Sequence, residues 1–261
     1  MSPLPVAFIS HGSPMLALEN GAWRQDLAAW ASGLKGVQAV LVVSAHWESD
    51  GAFQVTSEPA PGILHDFSGF PEELYRVDYR APGHALLAER VMDLVRSTGH
   101  DVRGAARPLD HGTWVPLQAL FPEATHPVLQ LSLPRPRDPE LLLQAGKALA
   151  PLRQEGVLLL GSGGLVHNLR RLAWAGHPRP EPWAEGFEQW VMEALEQGDP
   201  SRLLRAHLEG PGYSQAVPTP EHFDPLHVVL GAAGEDTPRT IHAGWQHGNL
   251  SLRALAWSPA A

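Results

Sequence analysis

Short apolar runs alternate along this chain with longer segments of helical periodicity, and this alternation is the feature that most constrains its fold. Four runs are predicted to be buried strands, because each is short, apolar and bounded by turn residues: 5–10, 37–45, 127–133 and 156–160. Residues 52–57 have the pattern of an exposed strand, and residues 249–257 that of an alternating strand that closes the chain.

Segments with apolar residues at helical spacing lie between these strands. They cover 84–98, 112–121, 141–152, 183–196, 201–208 and 221–233. Interleaved strands and helices predict an α/β fold, with a central mixed, largely parallel β-sheet flanked by helices. We expect one domain over residues 1–261, with its active site at the carboxyl ends of the strands.

The composition excludes several classes of function. The 261 residues contain no cysteine, so a tightly held metal would need His, Asp or Glu ligands. The formal net charge of −9 and the lack of a basic run argue against nucleic acid as a partner. Because the N-terminus lacks a signal-peptide pattern and no apolar segment reaches the ~18–20 residues of a membrane helix, we expect a cytoplasmic protein without membrane contact.

Three histidines stand where predicted apolar strands run into turns. His11 and His46 follow the first two of these strands, and His167 follows the strand at 156–160 and a glycine-rich run. Ligands collect beyond the carboxyl ends of strands in open α/β sheets, so these imidazoles are candidate metal or substrate groups. The glycine-rich run, residues 161–164, lacks the residues of a phosphate-binding loop and is predicted to be a turn that positions His167.

Three further motifs place polar side chains where chemistry is expected. Asp110-His111-Gly112 is predicted to be a loop aimed at a substrate. Glu221 and His222 stand side by side at a helix start, where a carboxylate is favoured as an anion. His65 is a weaker candidate for the lining of the pocket.

The other histidines have no such setting and are expected to be structural or solvated: 84, 100, 126, 177, 207, 227, 242 and 247. The chain has no G-x-S-x-G motif, which weakens a serine hydrolase interpretation. It also has no H-E-x-x-H motif, which argues against a thermolysin-like protease.

Taken together, these motifs resemble the extradiol ring-cleaving dioxygenases of the LigB superfamily, and in particular their 4,5-DOPA dioxygenase extradiol branch. The matching pieces recur in family order and span most of the chain. They are HGSPM at 11–15, SAHW at 44–47, HDFSGFP at 65–71, YRAPG at 79–83, DHGTW at 110–114, VHNL at 166–169 and PTPEH at 218–222.

The resemblance implies a metal held by His11, His46 and His222. It implies that His167 reaches the metal or the substrate, either as a further ligand or as an acid–base catalyst. It also implies that His111 hydrogen-bonds the substrate or oxygen, with His65 lining the substrate pocket. The expected partners are a small aromatic diol and O2, and the expected ion is Fe(II) for activity, with Zn(II) in the purified protein.

The third ligand is a departure from the wider superfamily, which uses two histidines and one carboxylate. His222 stands where that carboxylate is expected and Glu221 is adjacent, so the third ligand and the native metal stay open at this stage. Two other functions also stay open. One is a zinc hydrolase that uses the same histidines with a metal-bound water, and the other is a non-catalytic binding module of the same fold.

Overall fold

A computed structural model describes residues 2–174 and 179–259. The ten strands in these ranges are β1 Val6–Ser10, β2 Ala39–Asp50, β3 Phe53–Thr56, β4 Val102–Ala105, β5 Val128–Arg135, β6 Val157–Gly163, β7 Thr237–His242, β8 Trp245–Gln246, β9 Leu250–Ser251 and β10 Ala254–Ser258. The α-helices there are α1 Ala22–Ser32, α2 Glu72–Tyr75, α3 Ala85–Arg96, α4 His111–Leu120, α5 Pro139–Leu149, α6 Pro182–Glu196, α7 Pro200–Leu204, α8 Ala206–Glu209, α9 Tyr213–Ala216 and α10 Asp224–Ala233. Short 3₁₀ helices lie at Pro14–Ala17, Ala150–Arg153, Leu169–Arg171 and Pro220–His222.

Eight strands form one sheet in the order β4-β3-β5-β2-β6-β1-β10-β7. The four central strands, β5, β2, β6 and β1, are parallel to one another, whereas β10 and β7 join antiparallel at one edge. At the other edge β3 pairs antiparallel with β5 and parallel with β4. The predicted α/β class with a central mixed, largely parallel sheet is therefore confirmed.

Helices cover both faces of the sheet, and successive residues of a strand pack against opposite layers. Val6 and Phe8 of β1 lie in the core shared with α3, α5, α6 and α10. Ala7 and Ile9 lie in the core shared with α1 and α4. Because side chains alternate across a strand, a strand covered on both faces must be apolar throughout, as the sequence of β1 is.

Local signals account for where several helices begin. Pro139 occupies the first turn of α5, and the side chain of Asp138 accepts a hydrogen bond from Glu140 N. The imidazole of His84 caps α3 in the same way, by accepting from Leu87 N.

The structure differs from the sequence prediction at several strands. His46 lies inside β2, which continues to Asp50, and it falls where the pairing of β2 with β5 shifts register between Val43 and Glu48. Strand β3 is largely buried, not exposed, because Phe53 and Val55 pack in the core shared with α3. The first three glycine-run residues, 161–163, extend β6 instead of forming a turn. Strand β10 is buried on both faces, so the predicted alternation at 249–257 is wrong.

The crossing of α5 and α10 depends on two glycines, and this contact gives a testable prediction. A Cβ added at Gly231 would lie 2.0 Å from Leu143 O and 3.0 Å from Gly146 Cα. Since backbone atoms cannot move aside as side chains do, we expect Gly231→Ala to lower the free energy of unfolding by about 1–3 kcal/mol. At about 2–4 °C per kcal/mol for a chain of this size, thermal unfolding would show a drop in Tm of several degrees.

Gly186→Ala in α6 is the matched control. Apart from its chain neighbours and the backbone of its own helix, no heavy atom of the described residues lies within 4 Å of the position of its Cβ. Here alanine should leave Tm unchanged or raise it, because alanine favours the helix interior by about 0.5–1 kcal/mol over glycine. A Gly231→Ala protein as stable as the wild type would contradict the inferred close packing of α5 on α10.

Among the described residues, no helix has both the length and the apolar character that crossing a bilayer requires.

Candidate active site

The strand order brings the first two candidate histidines together. Strands β2, β6 and β1 are parallel neighbours, so their carboxyl ends meet at one edge of the sheet. His11 follows β1 directly, and His46 lies toward the carboxyl end of β2. His222 joins them from the 3₁₀ helix that precedes α10. One ligand atom from each of these three imidazoles lies within 4.8 Å of the other two.

His222 reaches this edge because β6 ends in glycine. The backbone N–H of Gly164 donates to His222 O at 2.8 Å. A Cβ at Gly163 would lie 2.0 Å from the same carbonyl oxygen, so only glycine permits this approach. The close approach that the glycine run allows is thus to the backbone of His222.

The imidazole of His11 has a fixed tautomer. Its Nδ1 lies 2.9 Å from Ser162 Oγ, and that hydroxyl donates its own proton to Gly112 O. Because the hydroxyl has only one proton, it must accept from His11, so Nδ1 carries the hydrogen. The lone pair of His11 is therefore on Nε2.

The other two imidazoles have a carboxylate, not a hydroxyl, beside Nδ1. Glu221 Oε1 lies 3.1 Å from Nδ1 of His222, and Asp66 Oδ2 lies 3.4 Å from Nδ1 of His46. A carboxylate only accepts, so Nδ1 of His222 carries a hydrogen. At His46 the negative charge of Asp66 favours an N–H over a lone pair at Nδ1. In both rings Nε2 then presents the lone pair. Glu221 thus lies on the far side of His222 from the other two rings.

The three Nε2 atoms fit a cation. Nε2 of His46 and Nε2 of His11 are 3.1 Å apart, although each presents a lone pair and neither has a proton to share. Nε2 of His222 is buried and has no hydrogen-bond partner among the described residues. Buried lone pairs that face one another cost free energy unless a positive charge lies between them, and a divalent metal bound by imidazole supplies that charge.

The electrostatics of the cluster keep these rings neutral. Burial, followed by the charges of neighbouring imidazoles, holds the pKa of His11 and of His222 well below the usual range. Burial and the nearby His111 lower the pKa of His46 to about 3. Neutral imidazoles are the form that binds a metal, so the cluster is ready for a cation at neutral pH.

His167 stacks on His222. The two ring centroids are 3.5 Å apart and the ring planes differ by 8°. The backbone N–H of His167 donates to Ala216 O at 2.9 Å, which ties the loop after β6 to α9. Burial lowers the pKa of His167 to about 4, so its ring is neutral as well.

His111 completes the group of five, but it does not lie on a loop. It is the first residue of α4, and its ring centroid is 4.0 Å from that of His46. The predicted loop at Asp110-His111 is therefore wrong. Asp110 is buried and accepts from Ser44 Oγ and Gln130 Nε2, each at 2.6 Å, so it faces away from the cluster.

Asp66 bridges two of these rings. Its Oδ1 lies 2.9 Å from Nδ1 of His111, and its Oδ2 is the carboxylate oxygen beside His46. Burial alone would raise the pKa of Asp66, but the hydrogen bonds and the charge of His111 lower this pKa to about 2. The carboxylate is therefore ionised at neutral pH.

His65 lies one layer away from the cluster. Its Nε2 donates to Val77 O at 3.2 Å, and its ring packs against Phe67 and Trp114 at centroid distances of 5.6 and 5.7 Å. Phe67 in turn contacts the ring of His111 at 5.6 Å. The rings of His65, Phe67 and Trp114 thus form an aromatic wall beside His111.

Two site residues gave no local signal in the sequence. Ser162 belongs to the apolar strand β6, and its role depends on a contact with His11, 151 positions away. Arg137 pairs with Asp224 and Glu48, and its Nη2 lies 3.8 Å from Oε2 of Glu221. These partners come from distant segments, so only the folded chain reveals them.

The remaining described histidines are outside the cluster. His227 is buried, with Nε2 donating to Leu203 O at 3.2 Å. His242 Nδ1 donates to Asp26 Oδ2 at 2.7 Å. His247 contacts the ring of Trp174 at a centroid distance of 5.0 Å. His177 lies outside the described residues.

Comparison with known proteins gives consistent matches. Residues 5–253 match the family described as the catalytic LigB subunit of aromatic ring-opening dioxygenase. The chain is 40% identical over 254 residues to a 4,5-DOPA dioxygenase extradiol of Beta vulgaris, covering 94% of this chain and 92% of that protein. It is 38% identical over 255 residues to a protein of the same name in Escherichia coli K12, covering 97% of this chain and 94% of the relative.

A solved structure agrees with these matches. The crystal structure of an uncharacterized protein from Escherichia coli K12 superimposes with a TM-score of 0.83 and 32% sequence identity. The superposition covers 98% of this chain and 100% of that one.

Proposed function

The chain belongs to the LigB family of aromatic ring-opening dioxygenases and is an extradiol dioxygenase, and from this premise we propose that it opens a catechol ring with O2 at one divalent metal. His11, His46 and His222 hold that metal through Nε2. The substrate is DOPA or a related small dihydroxy-aromatic compound, and the product is a semialdehyde of the muconic type.

One observation carries the proposal of a metal. Nε2 of His11 and Nε2 of His46 face each other at 3.1 Å with both protons placed on Nδ1. A hydrogen bond between the two atoms would need a proton on Nε2 of His46, which the negative charge of Asp66 beside Nδ1 disfavours. A cation bound by His11, His46 and His222 explains why the two nitrogens face each other.

The catechol and O2 together supply all the atoms and electrons of the overall reaction. The C–C bond beside the diol breaks and both atoms of O2 enter the product, so no external reductant is consumed. A redox-active metal held by His11, His46 and His222 would supply a route for electrons from the electron-rich ring to O2. Fe(II) supplies this chemistry, whereas Zn(II) fits the nitrogen-rich ligand set but has no redox chemistry.

His167 is proposed to be the acid–base catalyst and not a fourth ligand. A ligand's lone pair lies in the plane of its ring, and a metal–nitrogen bond is about 2.0–2.1 Å long. The rings of His167 and His222 are nearly parallel with centroids 3.5 Å apart. An ion in the plane of His222 would therefore lie too far from the plane of His167 to be bound by both.

A neutral imidazole in this position can move protons. Its ring nitrogen can accept the hydroxyl proton of the catechol and return it to an oxygen of the opening ring. Burial keeps the pKa of His167 low, at about 4, so the ring is available as a base at neutral pH. The stack on His222 holds it beside the proposed metal site.

His111 and the aromatic wall are proposed to orient the substrate. With Nδ1 bonded to Asp66, Nε2 of His111 is free to hydrogen-bond a group at the metal site. Phe67, in contact with His111, offers a flat apolar surface that suits an aromatic ring. His65 supports this surface from behind, so its proposed part in substrate binding is indirect.

The function is tested by anaerobic reconstitution with one equivalent of Fe(II), followed by O2 uptake and absorbance spectra against a panel of catechols. We expect one O2 consumed per catechol and a new yellow chromophore from the ring-opened semialdehyde. The metal-free and Zn(II)-loaded proteins are the controls, and neither should consume O2.

Two other outcomes would replace the proposal. Hydrolysis of amides or esters by the Zn(II)-loaded protein, without O2 uptake by the Fe(II) form, would indicate a hydrolase that uses the same histidines. Failure to bind any divalent metal at one per chain would favour a non-catalytic binding module.

A further inference from the structure

Asp66 lies between a proposed metal ligand and the histidine that faces the substrate. Its Oδ1 lies 2.9 Å from Nδ1 of His111 and also accepts from the backbone N–H of His111 at 3.0 Å. Its Oδ2 lies 3.4 Å from Nδ1 of His46. The rings of His46 and His111 contact each other at a centroid distance of 4.0 Å, so one carboxylate spans both.

These contacts define where the ring protons are. The carboxylate oxygens can only accept hydrogen bonds, so Nδ1 of His111 is a donor to Oδ1. Nδ1 of His46 lies at ion-pair distance from Oδ2, where the negative charge favours an N–H over a lone pair. In a neutral imidazole the proton on Nδ1 leaves the lone pair on Nε2. His46 therefore presents its lone pair toward Nε2 of His11, and His111 presents its lone pair on the side away from Asp66.

We propose that Asp66 is a positioning residue that sets the tautomer and the ring orientation of His46 and His111 at the same time. This inference rests on the proposed function, because it takes His46 as a metal ligand and His111 as a substrate-facing group. Asp66 thereby couples the strength of metal binding to the arrangement of the substrate-facing side of the site.

The replacement Asp66→Asn is expected to affect His46 and His111 differently. An amide has one oxygen and one NH2 group in place of two carboxylate oxygens. The position of Oδ1 receives two donors, both from His111, so the amide oxygen is expected there. The NH2 group then faces His46, whose Nδ1 must become an acceptor. His46 would take the Nε2–H tautomer and lose the lone pair that binds the metal.

We therefore expect Asp66→Asn to weaken Zn(II) binding by about 10–100-fold, the usual loss when the partner of a metal-ligating histidine is removed. Competition against a chromophoric chelator measures this affinity. Long-range ¹H–¹⁵N correlation spectra of the metal-free protein at neutral pH report the ring tautomers. They should show His46 changed from Nδ1–H to Nε2–H, and His111 unchanged.

Asp26→Asn is the matched control. Asp26 Oδ2 accepts from Nδ1 of His242 at 2.7 Å, the same type of contact at a place outside the histidine cluster. This variant should change the tautomer signals of His242 alone and leave the Zn(II) affinity unchanged. Asp66→Glu, which keeps the carboxylate, should recover part of the affinity that Asp66→Asn loses.

The inference is overturned if Asp66→Asn binds Zn(II) as tightly as the wild type with the tautomer of His46 unchanged. It is also overturned if the wild-type protein binds two Zn(II) ions, since Asp66 would then hold a second ion with His46 and His111. Should Asp66→Asn fail to fold, the wild-type spectra decide: Nε2–H tautomers of His46 and His111 would contradict the inference.

These readouts need no catechol, so they separate this inference from the proposed function. A wild-type protein that opens no catechol but shows the expected tautomers and Zn(II) affinities keeps Asp66 as a positioning residue. An active wild type with an unaffected Asp66→Asn variant removes that role and leaves the dioxygenase proposal in place.

Discussion

Replacing His11 with alanine is expected to remove the bound metal and the ring-opening activity together. His11 is 1% exposed, and its Nε2 lies 3.1 Å from Nε2 of His46, so its ring is enclosed at the centre of the proposed ligand set. If three ligands share a binding free energy of about 10–16 kcal/mol, losing one costs about 3–5 kcal/mol. That corresponds to metal affinity at least about 100-fold weaker.

Metal content after dialysis and initial rates of O2 uptake measure the two effects on one preparation. His207→Ala is the matched control, because His207 is an exposed imidazole on α8, outside the cluster. It should keep one metal per chain and wild-type activity. A His11→Ala protein that retains one tightly bound metal would remove His11 from the ligand set.

Replacing His167 with alanine is expected to separate activity from metal binding. Removal of a positioned acid–base group lowers kcat by about 10²–10⁴-fold. The metal should stay, because the ring of His167 stacks on His222 instead of sharing its plane. The measurement is kcat for O2 uptake at saturating catechol, set beside the metal content of the same sample.

The contrast between the two variants is the informative result. If His167→Ala loses its metal as His11→Ala does, His167 is a ligand and the acid–base role falls to another group. If His167→Ala keeps both metal and full activity, the imidazole has no part in the reaction. Each outcome is distinct from unfolding, which the same thermal scans used for Gly231→Ala would reveal.

Much of the fold could be predicted from local sequence. The runs that became β1, β5 and β6 are mostly apolar because helices cover both faces of the central sheet, and this pattern is visible in the sequence. The helix α3 was predicted from the spacing of its apolar residues, with its bounds displaced by one or two positions. Strands at the sheet edges, such as β4 and β7, are partly exposed and gave no comparable pattern.

The sequence also determined which residues are candidates for the site. Parallel strands end at a common edge, so histidines that follow or end such strands are candidates for one site, and they meet where the strands are neighbours. His11, His46 and His167 were all predicted as candidates in this way from local context. The prediction that β2 ends before His46 was wrong, because the strand continues to Asp50 past a register shift in its pairing with β5.

Only the tertiary structure decided what each imidazole can do. The choice of His222 over Glu221 as candidate ligand, and the proton on each Nδ1, depend on contacts with Ser162, Asp66 and Glu221. The stack of His167 on His222 depends on the loop after β6 meeting the turn before α10. Hydrophobic periodicity is a local property of the chain. Tautomers and ligand geometry depend instead on angstrom-scale distances between distant segments, which only the folded chain brings together.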